Sequence, residues 1–277
     1  MATPWDRAAA GYLEEWVPRF VPYHLDLVKE LALVEGQRVL VTSCGPGAEA
    51  LAAARAVGEG GTVRATDKSE GMVAICAAQI KKAGFSALSC GVADAADASG
   101  GPWDAIVNAF GLWQLADRAG TLKSWAGSLT ASGKVGIITW GPSDADDPFE
   151  RLARALVELE PEQTPARTGI ECERGQMQLM FEEAGLAMVR HTIVQHTLIF
   201  PSAEAFVRAL REACTWRRVS EELGDARLER VAARFYETCG GPDKPLSFAP
   251  RATLAIAALP GAEITLAHRN AVLAPVS

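Results

Sequence analysis

The stretch that most constrains this chain is Val39 to Gly47, which reads Val-Leu-Val-Thr-Ser-Cys-Gly-Pro-Gly and runs into the Ala-rich segment Ala48 to Val57. An apolar run bounded by Gly and Pro and followed by helix-forming residues is a buried strand turning sharply into a helix. Gly45 and Gly47 lack a Cβ, so a ligand can approach the backbone there, and the first N–H groups of the following helix have no intrahelical partners. Gly-Pro-Gly also occurs in plain loops, so what this turn does depends on the rest of the chain.

Gly58 to Gly61 form the next turn, and Thr62 to Thr66 a second short strand that stops at Asp67. An acidic residue about 20 residues beyond a Gly turn, at the end of the next strand, can accept bonds from both ribose hydroxyls of a nucleoside-containing ligand. The plainer alternative is that Asp67 is only the N-cap of a helix starting near Ser69. That helix runs to Ala83, and a strand near Ala87 to Val92 leads into Ala93-Asp94-Ala95. Trp103 to Phe110 is the next strand, with Asn108 near its end; a helix near Arg118 to Leu129 and a strand Lys134 to Trp140 follow. Regular alternation of this kind predicts an α/β fold with a doubly wound, mainly parallel sheet.

On the amino-terminal side, Trp5, Ala9, Tyr12 and Trp16 recur at helical spacing, and after interruptions at Pro18 and Pro22 the residues Leu25, Val28, Leu31 and Ala32 continue an apolar face. Beyond Gly141 the rhythm changes. A polar loop (Pro142, Asp144, Asp146, Asp147, Pro148) precedes a helix from Phe149 to Leu159, and Pro161 to Thr168 is a second polar connection. A helix from Glu173 to Ala184, a strand-like run from Leu186 to Phe200, helices from Ser202 to Trp216 and Ser220 to Tyr236, and a final strand from Arg251 to Leu259 complete the reading. We read residues 1–277 as a single domain, with 1–35 as a helical lid and with insertions at 141–172 and 201–249, too long for simple loops, as a helical cap over the ligand edge.

A formal charge of -7 with no basic run argues against a nucleic-acid surface. The first residues lack a basic segment leading into an apolar core, and no window reaches the ~18 apolar residues of a membrane span, so a cytoplasmic protein with no membrane partner is expected. The cysteines at 44, 76, 90, 172, 214 and 239 form no Cys-x-x-Cys pair and have no His at zinc spacing, so no metal site is expected and they read as reduced thiols. Cys44, inside the Gly turn, reads as a small packed side chain rather than a nucleophile.

With these motifs in order, the chain resembles the class I S-adenosylmethionine-dependent methyltransferases, especially the small-molecule branch that includes the ubiquinone and menaquinone enzymes. The residues that carry the resemblance are Val39 to Gly47, Val63 to Asp67 with Met72, Ala93-Asp94-Ala95, Phe110-Gly111-Leu112-Trp113, and Gly133-Lys134-Val135 with Trp140. The resemblance implies a Rossmann-like seven-stranded sheet whose last strand, Arg251 to Leu259, is antiparallel. It implies S-adenosyl-L-methionine as cofactor and S-adenosyl-L-homocysteine as product. On it, the backbone around Ser43, Cys44, Gly45 and Gly47 receives the methionine end, and Asp67 binds the ribose. Lys68 and Met72 flank the adenine, Asp94 and the Ala95 N–H read its edge, and Asn108 and Ala109 lie under the sulfonium. Tyr12 closes over the methionine portion. Two positions depart from the family pattern: Val41 replaces an acidic residue and Ser43 a glycine. Ser43 therefore either keeps an allowed backbone or stores strain.

Methyl transfer is an in-line displacement that depends on holding the acceptor close and excluding water. A neutral hydroxyl acceptor also needs a base, and His24, beside the leading helix, and His196, near the end of the strand-like run, are the candidates. His191 falls on the opposite strand face from His196, and His268 is expected at the surface. Trp113 and Trp140, which follow strand ends, and Trp216 in the cap suit an apolar or aromatic acceptor wall, whereas Trp125 reads as helix packing. The reading is a methyltransferase acting on a small apolar metabolite, most readily at oxygen in secondary metabolism, with C- or N-methylation as the alternatives. A nicotinamide-binding protein fits less well, because positions 48 and 50 are Ala and the Gly-x-Gly-x-x-Gly spacing is absent. A cyclase, isomerase or binding subunit on the same fold is the remaining alternative. The sequence does not fix the oligomeric state.

Overall fold

The alternation read from the sequence becomes one twisted sheet in the computed structural model, which describes residues 3–163 and 173–266. Two leading helices, α1 (Pro4–Glu15) and α2 (Val17–Glu30), precede β1 (Arg38–Thr42), α3 (Ala48–Val57), β2 (Thr62–Asp67), α4 (Glu70–Ala83), β3 (Leu88–Val92), β4 (Trp103–Ala109), α5 (Arg118–Gly127) and β5 (Leu129–Trp140). The second half contains α6 (Pro148–Leu159), α7 (Arg174–Glu183), β6 (Ala187–Gln195), β7 (Leu198–Phe200), α8 (Ala203–Leu210), α9 (Cys214–Leu223), α10 (Asp225–Cys239), β8 (Leu246–Phe248) and β9 (Arg251–Ala258).

Seven strands pair in the order β3-β2-β1-β4-β5-β9-β6. The first five are mutually parallel, and β9 runs antiparallel to both β5 and β6. Interior strands covered on both faces must be apolar throughout. In β1, Val39 and Val41 join Ala105 and Val107 of β4 in one buried cluster, while Leu40 joins Ile106 in the cluster on the other face. Successive strands run outward in both directions from β1 and β4, which makes the β1/β4 boundary the switch point where open α/β sheets bind ligands.

Pro22 does not interrupt the lead-in: α2 continues through it. Its missing N–H removes only the bond to the Pro18 carbonyl in the first turn, while the buried face Phe20, Tyr23, His24, Leu27 and Val28 holds the helix against the sheet. The expected continuous strand from Leu186 to Phe200 is divided. At His196 the chain turns out of the sheet, its N–H bonded to the Tyr23 hydroxyl at 3.0 Å, and β7 pairs antiparallel with β8 as a separate ribbon. The expected helix from Ser202 to Trp216 is also two, α8 and α9, with a break at residues 211–213 that no Gly or Pro announces.

Helices α6, α8 and α10 share a core with the sheet: Leu152, Phe206 and Phe235 lie in the same buried cluster as Val39 and Val41. The Pro161 to Thr168 connection falls largely, and Cys172 and His268 entirely, outside the described residues. Among the described residues, no helix is long and apolar enough to cross a membrane and no group of side chains is placed to hold a metal ion.

Candidate functional site

A cavity of about 840 Å³ opens along the carboxyl edge of the sheet, large enough for a nucleoside-sized ligand together with a second small molecule. Its floor is the set of strand ends. At the end of β1 the chain reverses through Ser43 (φ 53), Gly45 (φ 48) and Gly47 (φ 91), all left-handed. Ser43 is therefore strained, at a cost of about 1–3 kcal/mol. Across the switch point Phe110, at the end of β4, is also left-handed (φ 54). Ser43 packs against Gly111, the residue after Phe110: a Cβ there would lie 2.5 Å from the Ser43 Cβ and 2.9 Å from the Asn108 Nδ2.

Asp67 ties this turn to the next strand. Its Oδ2 accepts the Gly45 N–H and its Oδ1 accepts the Ser69 N–H, each at 2.9 Å. Ser69, rather than Asp67, is the side-chain N-cap of α4, accepting the Met72 N–H at 3.1 Å. The Lys68 N–H is also directed at the Asp67 carboxylate, which leaves it one of its roughly four lone-pair sites for a donor in the cavity. Burial pushes the Asp67 carboxyl above its ordinary value, partly offset by those N–H bonds. Further along the edge, the Asp94 Oδ1 accepts the Ala96 N–H at 3.0 Å, and its Oδ2 lies 3.5 Å from the Lys68 Nζ. Trp125 packs beneath as expected, its indole N–H bonded to the Ala95 carbonyl at 2.7 Å.

Helix α1 roofs this half. Thr3 and Asp6 form a capping box, and the Asp6 Oδ1 also accepts the Ser69 hydroxyl at 2.5 Å and the Gly71 N–H at 3.0 Å. These bonds hold the Asp6 carboxyl well below the usual carboxylate range. Gly71 is required for the close approach, because a Cβ there would lie 2.9 Å from the Asp6 Cα. Tyr12, from the same helix, lines the cavity, braced edge-on by Trp5 at 5.3 Å.

Aromatic rings make the other half. Phe110 lies over Trp140 with centroids 4.4 Å apart, Phe20 meets Trp140 at 5.2 Å, and Trp16, Phe149, Trp113 and Trp216 complete the wall. Trp113, Trp140 and Trp216 were legible candidates in the sequence; Trp16, Phe20, Phe110 and Phe149 were not. The signal for the first two was the helical spacing that carries Tyr12, which continues through Trp16 to Phe20.

Of the expected cofactor residues, Tyr12, Ser43, Gly45, Asp67, Lys68, Met72, Asp94, Ala95 and Ala109 line the cavity. Cys44, Gly47 and Asn108 do not. Cys44 is packed under the turn, where a hydrogen bond with Cys76 and burial hold its thiol well above the ordinary value. Gly47 serves packing, since a Cβ there would lie 2.6 Å from the Cys76 Sγ. Asn108 is fully buried, with its amide bonded to the Thr42 Oγ1 at 3.1 Å.

Neither candidate histidine lines the cavity. His24 is buried between α2 and α3, with its Nδ1 3.4 Å from the Glu49 Oε2. Burial lowers its pKa to about 4 and raises that of Glu49 to about 8, so both are neutral near pH 7. His196 pairs with Asp26 (Nε2 to Oδ2 2.7 Å) on the outer side of Tyr23. Sequence proximity to the lid suggested a base; packing directs both rings elsewhere.

A seven-stranded sheet of this order, with its last strand antiparallel, a Gly-rich turn after β1 and carboxylates at the ends of β2 and β3, is the Rossmann-like fold of the class I S-adenosylmethionine-dependent methyltransferases. Residues 39–133 match the family model described as a methyltransferase domain. Among curated proteins, aklanonic acid methyltransferase DauC of Streptomyces sp. (strain C5) is 29% identical over 137 residues, which cover 48% of this chain and 62% of that protein. The match thus spans less than two thirds of the relative's length. Among solved structures, a SAM-dependent methyltransferase from Aquifex aeolicus aligns with TM-score 0.53 at 20% identity, over 67% of this chain and 91% of that one. The [4+2]-cyclase SpnF aligns with TM-score 0.58 at 18% identity, over 89% of this chain and 83% of that one. At these identities the structures share the fold.

Proposed function

We propose that the chain transfers a methyl group from S-adenosylmethionine to oxygen on a small, flat, apolar metabolite, as a tailoring step in secondary metabolism. The observation that carries this reading is the single cavity that joins a carboxylate-bearing strand edge to an aromatic wall. The cofactor supplies an activated methyl group when bound. Asp67 takes the ribose hydroxyls, Lys68 and Met72 flank the adenine, and Asp94 with the Ala95 N–H reads its edge. The Ser43 to Gly45 backbone and Tyr12 would hold the methionine end, with Ala109 on the cavity floor beside it. The donor set suits this ligand, because the Asp67 carboxylate retains acceptor capacity toward the cavity after bonding Gly45 and Ser69.

The rings of Phe110, Trp140 and Phe149 offer apolar area on which a planar acceptor stacks while water is displaced. DauC, named as a methyltransferase of a small acid, supports a small-molecule acceptor. Lid, sheet and cap act as one domain on this reading, with their shared core as support. Transfer of label from methyl-labelled S-adenosylmethionine to a panel of phenols, enols, amines and quinones tests the proposal. Product labelled at oxygen is expected; label only at carbon or nitrogen overturns the oxygen assignment.

A further inference from the structure

Three carboxylates line the acceptor half of the cavity, Asp144, Asp147 and Glu150; Asp144 pairs with Arg251 and Glu150 accepts the Ser143 hydroxyl, which leaves Asp147 without a side-chain partner among the described residues. Asp147 lines the cavity at the start of α6, two residues before Phe149 of the aromatic wall. Its Oδ1 accepts the Phe149 N–H at 2.8 Å, and among the described residues nothing bonds its Oδ2. The residue is half-buried. We propose that Asp147 takes the proton from an acceptor hydroxyl stacked against the aromatic wall, which makes the acceptor a hydroxylated aromatic. This deepens the methyltransferase reading above and rests on it.

In the step, the acceptor O–H bond breaks and the proton passes to the Asp147 Oδ2. The acceptor oxygen forms the new O–CH3 bond as the methyl carbon–sulfur bond breaks, its electron pair passing to sulfur. A carboxylic acid, a methyl ether and a thioether remain, with atoms and charge balanced. Geometry also favours Asp147 over the two histidines, because it alone of the three faces the cavity. Burial raises its pKa to about 6, near the working range of a base at neutral pH.

The charged groups around it are Asp144 and Glu150, which push in the same direction, and Arg151, which opposes them. Arg251, from the start of β9, is paired with Asp144 at 2.5 Å. From α2, Tyr23 faces the same carboxylate, with the Asp26–His196 pair behind it.

Asp147→Asn is the informative variant, because Asn caps a helix as well as Asp does and keeps an acceptor for the Phe149 N–H, so only the proton-accepting charge is lost. The probes are 1-naphthol, 2-naphthol and 1-hydroxyanthraquinone, with methyl-labelled S-adenosylmethionine. The wild type is expected to methylate at least one of them at oxygen, with a rate that falls on the acid side around pH 6. The variant is expected to lose about 100-fold or more in kcat, and to lose that acid limb, with KM changed by no more than about twofold. A readout without turnover is 1-naphthol binding to the S-adenosylhomocysteine-loaded protein, followed by quenching of Trp fluorescence. Binding should weaken about threefold or more from pH 7.5 to pH 5 in the wild type and stay level in the variant. An acid limb or pH-dependent binding that survives in Asp147→Asn overturns the proposal, as does wild type that binds S-adenosylhomocysteine but methylates none of the three probes. Failure of the wild type to bind S-adenosylhomocysteine instead overturns the methyltransferase reading itself.

Discussion

The neutral pair beneath the Gly-rich turn makes stability depend on pH in a way that one substitution exposes. Glu49 has an ordinary value of 4.5 and is raised to about 8 in the fold by burial. Between those values the folded chain keeps a proton that the unfolded chain releases, so stability is present below pH 4.5 and is lost as pH rises toward 8. At about 1.4 kcal/mol per pH unit, the loss is about 1 kcal/mol at pH 5 and about 3 kcal/mol at pH 7. Glu49→Gln keeps the shape and carries no charge at any of these pH values. Urea unfolding of the two proteins should therefore show the variant more stable, by a margin that grows by about 2 kcal/mol between pH 5 and pH 7 and levels off above 8. His24, lowered to about 4 by burial, gives stability that is lost as pH falls below its ordinary value. Because it is present in both proteins, its contribution cancels in the difference. A constant margin, or a wild type more stable than the variant at pH 7, would show that His24 and Glu49 are instead a buried ion pair and refute the reasoning.

Gly111→Ala places a Cβ against Ser43 and Asn108 at the switch point, and should cost about 1–3 kcal/mol in chemical denaturation; an unchanged midpoint would show that the two strand ends yield freely. Asp6→Ala removes the bonds from Ser69 and Gly71 that fasten α1 over the cofactor half, and should speed dissociation of S-adenosylhomocysteine about tenfold in stopped-flow fluorescence. An unchanged off-rate would mean that α1 does not open during release.

The sheet was legible because its residues carry periodic signals: the apolar runs of β1, β4 and β5, the Gly turn, and acidic residues at two strand ends. The strand-end half of the cavity follows from those signals, so spacing and family resemblance point to Ser43, Gly45, Asp67, Asp94 and Ala109, all of which line it. Cys44, Gly47 and Asn108 belong to the same motifs but point away from the cavity, because successive residues in a strand or tight turn face opposite sides and sequence does not say which side is lined. The acceptor half was less legible. Its rings come from α2, β4, β5, α6 and α9, and only long-range packing brings them together. Asp147 was visible merely as one polar residue in a loop, and the two histidines drew attention by residue type while burial and Asp26 took them out of reach of the cavity. The division of 186–200 into β6 and β7 depends on Tyr23, a partner far away in the chain.

The turn at residues 43–47, with Asp67, is proposed to hold S-adenosylmethionine despite Val41 and Ser43. Calorimetric titration of the intact protein with S-adenosylhomocysteine, repeated on Asp67→Asn, tests it most directly. Asn retains one acceptor oxygen where Asp67 bonds both Gly45 and Ser69, so a buried donor loses its partner and the ribose loses a charged acceptor. Saturable binding at one site is expected in the wild type, weakened about 10- to 100-fold in the variant. No binding by the wild type, or equal binding by both proteins, would contradict it.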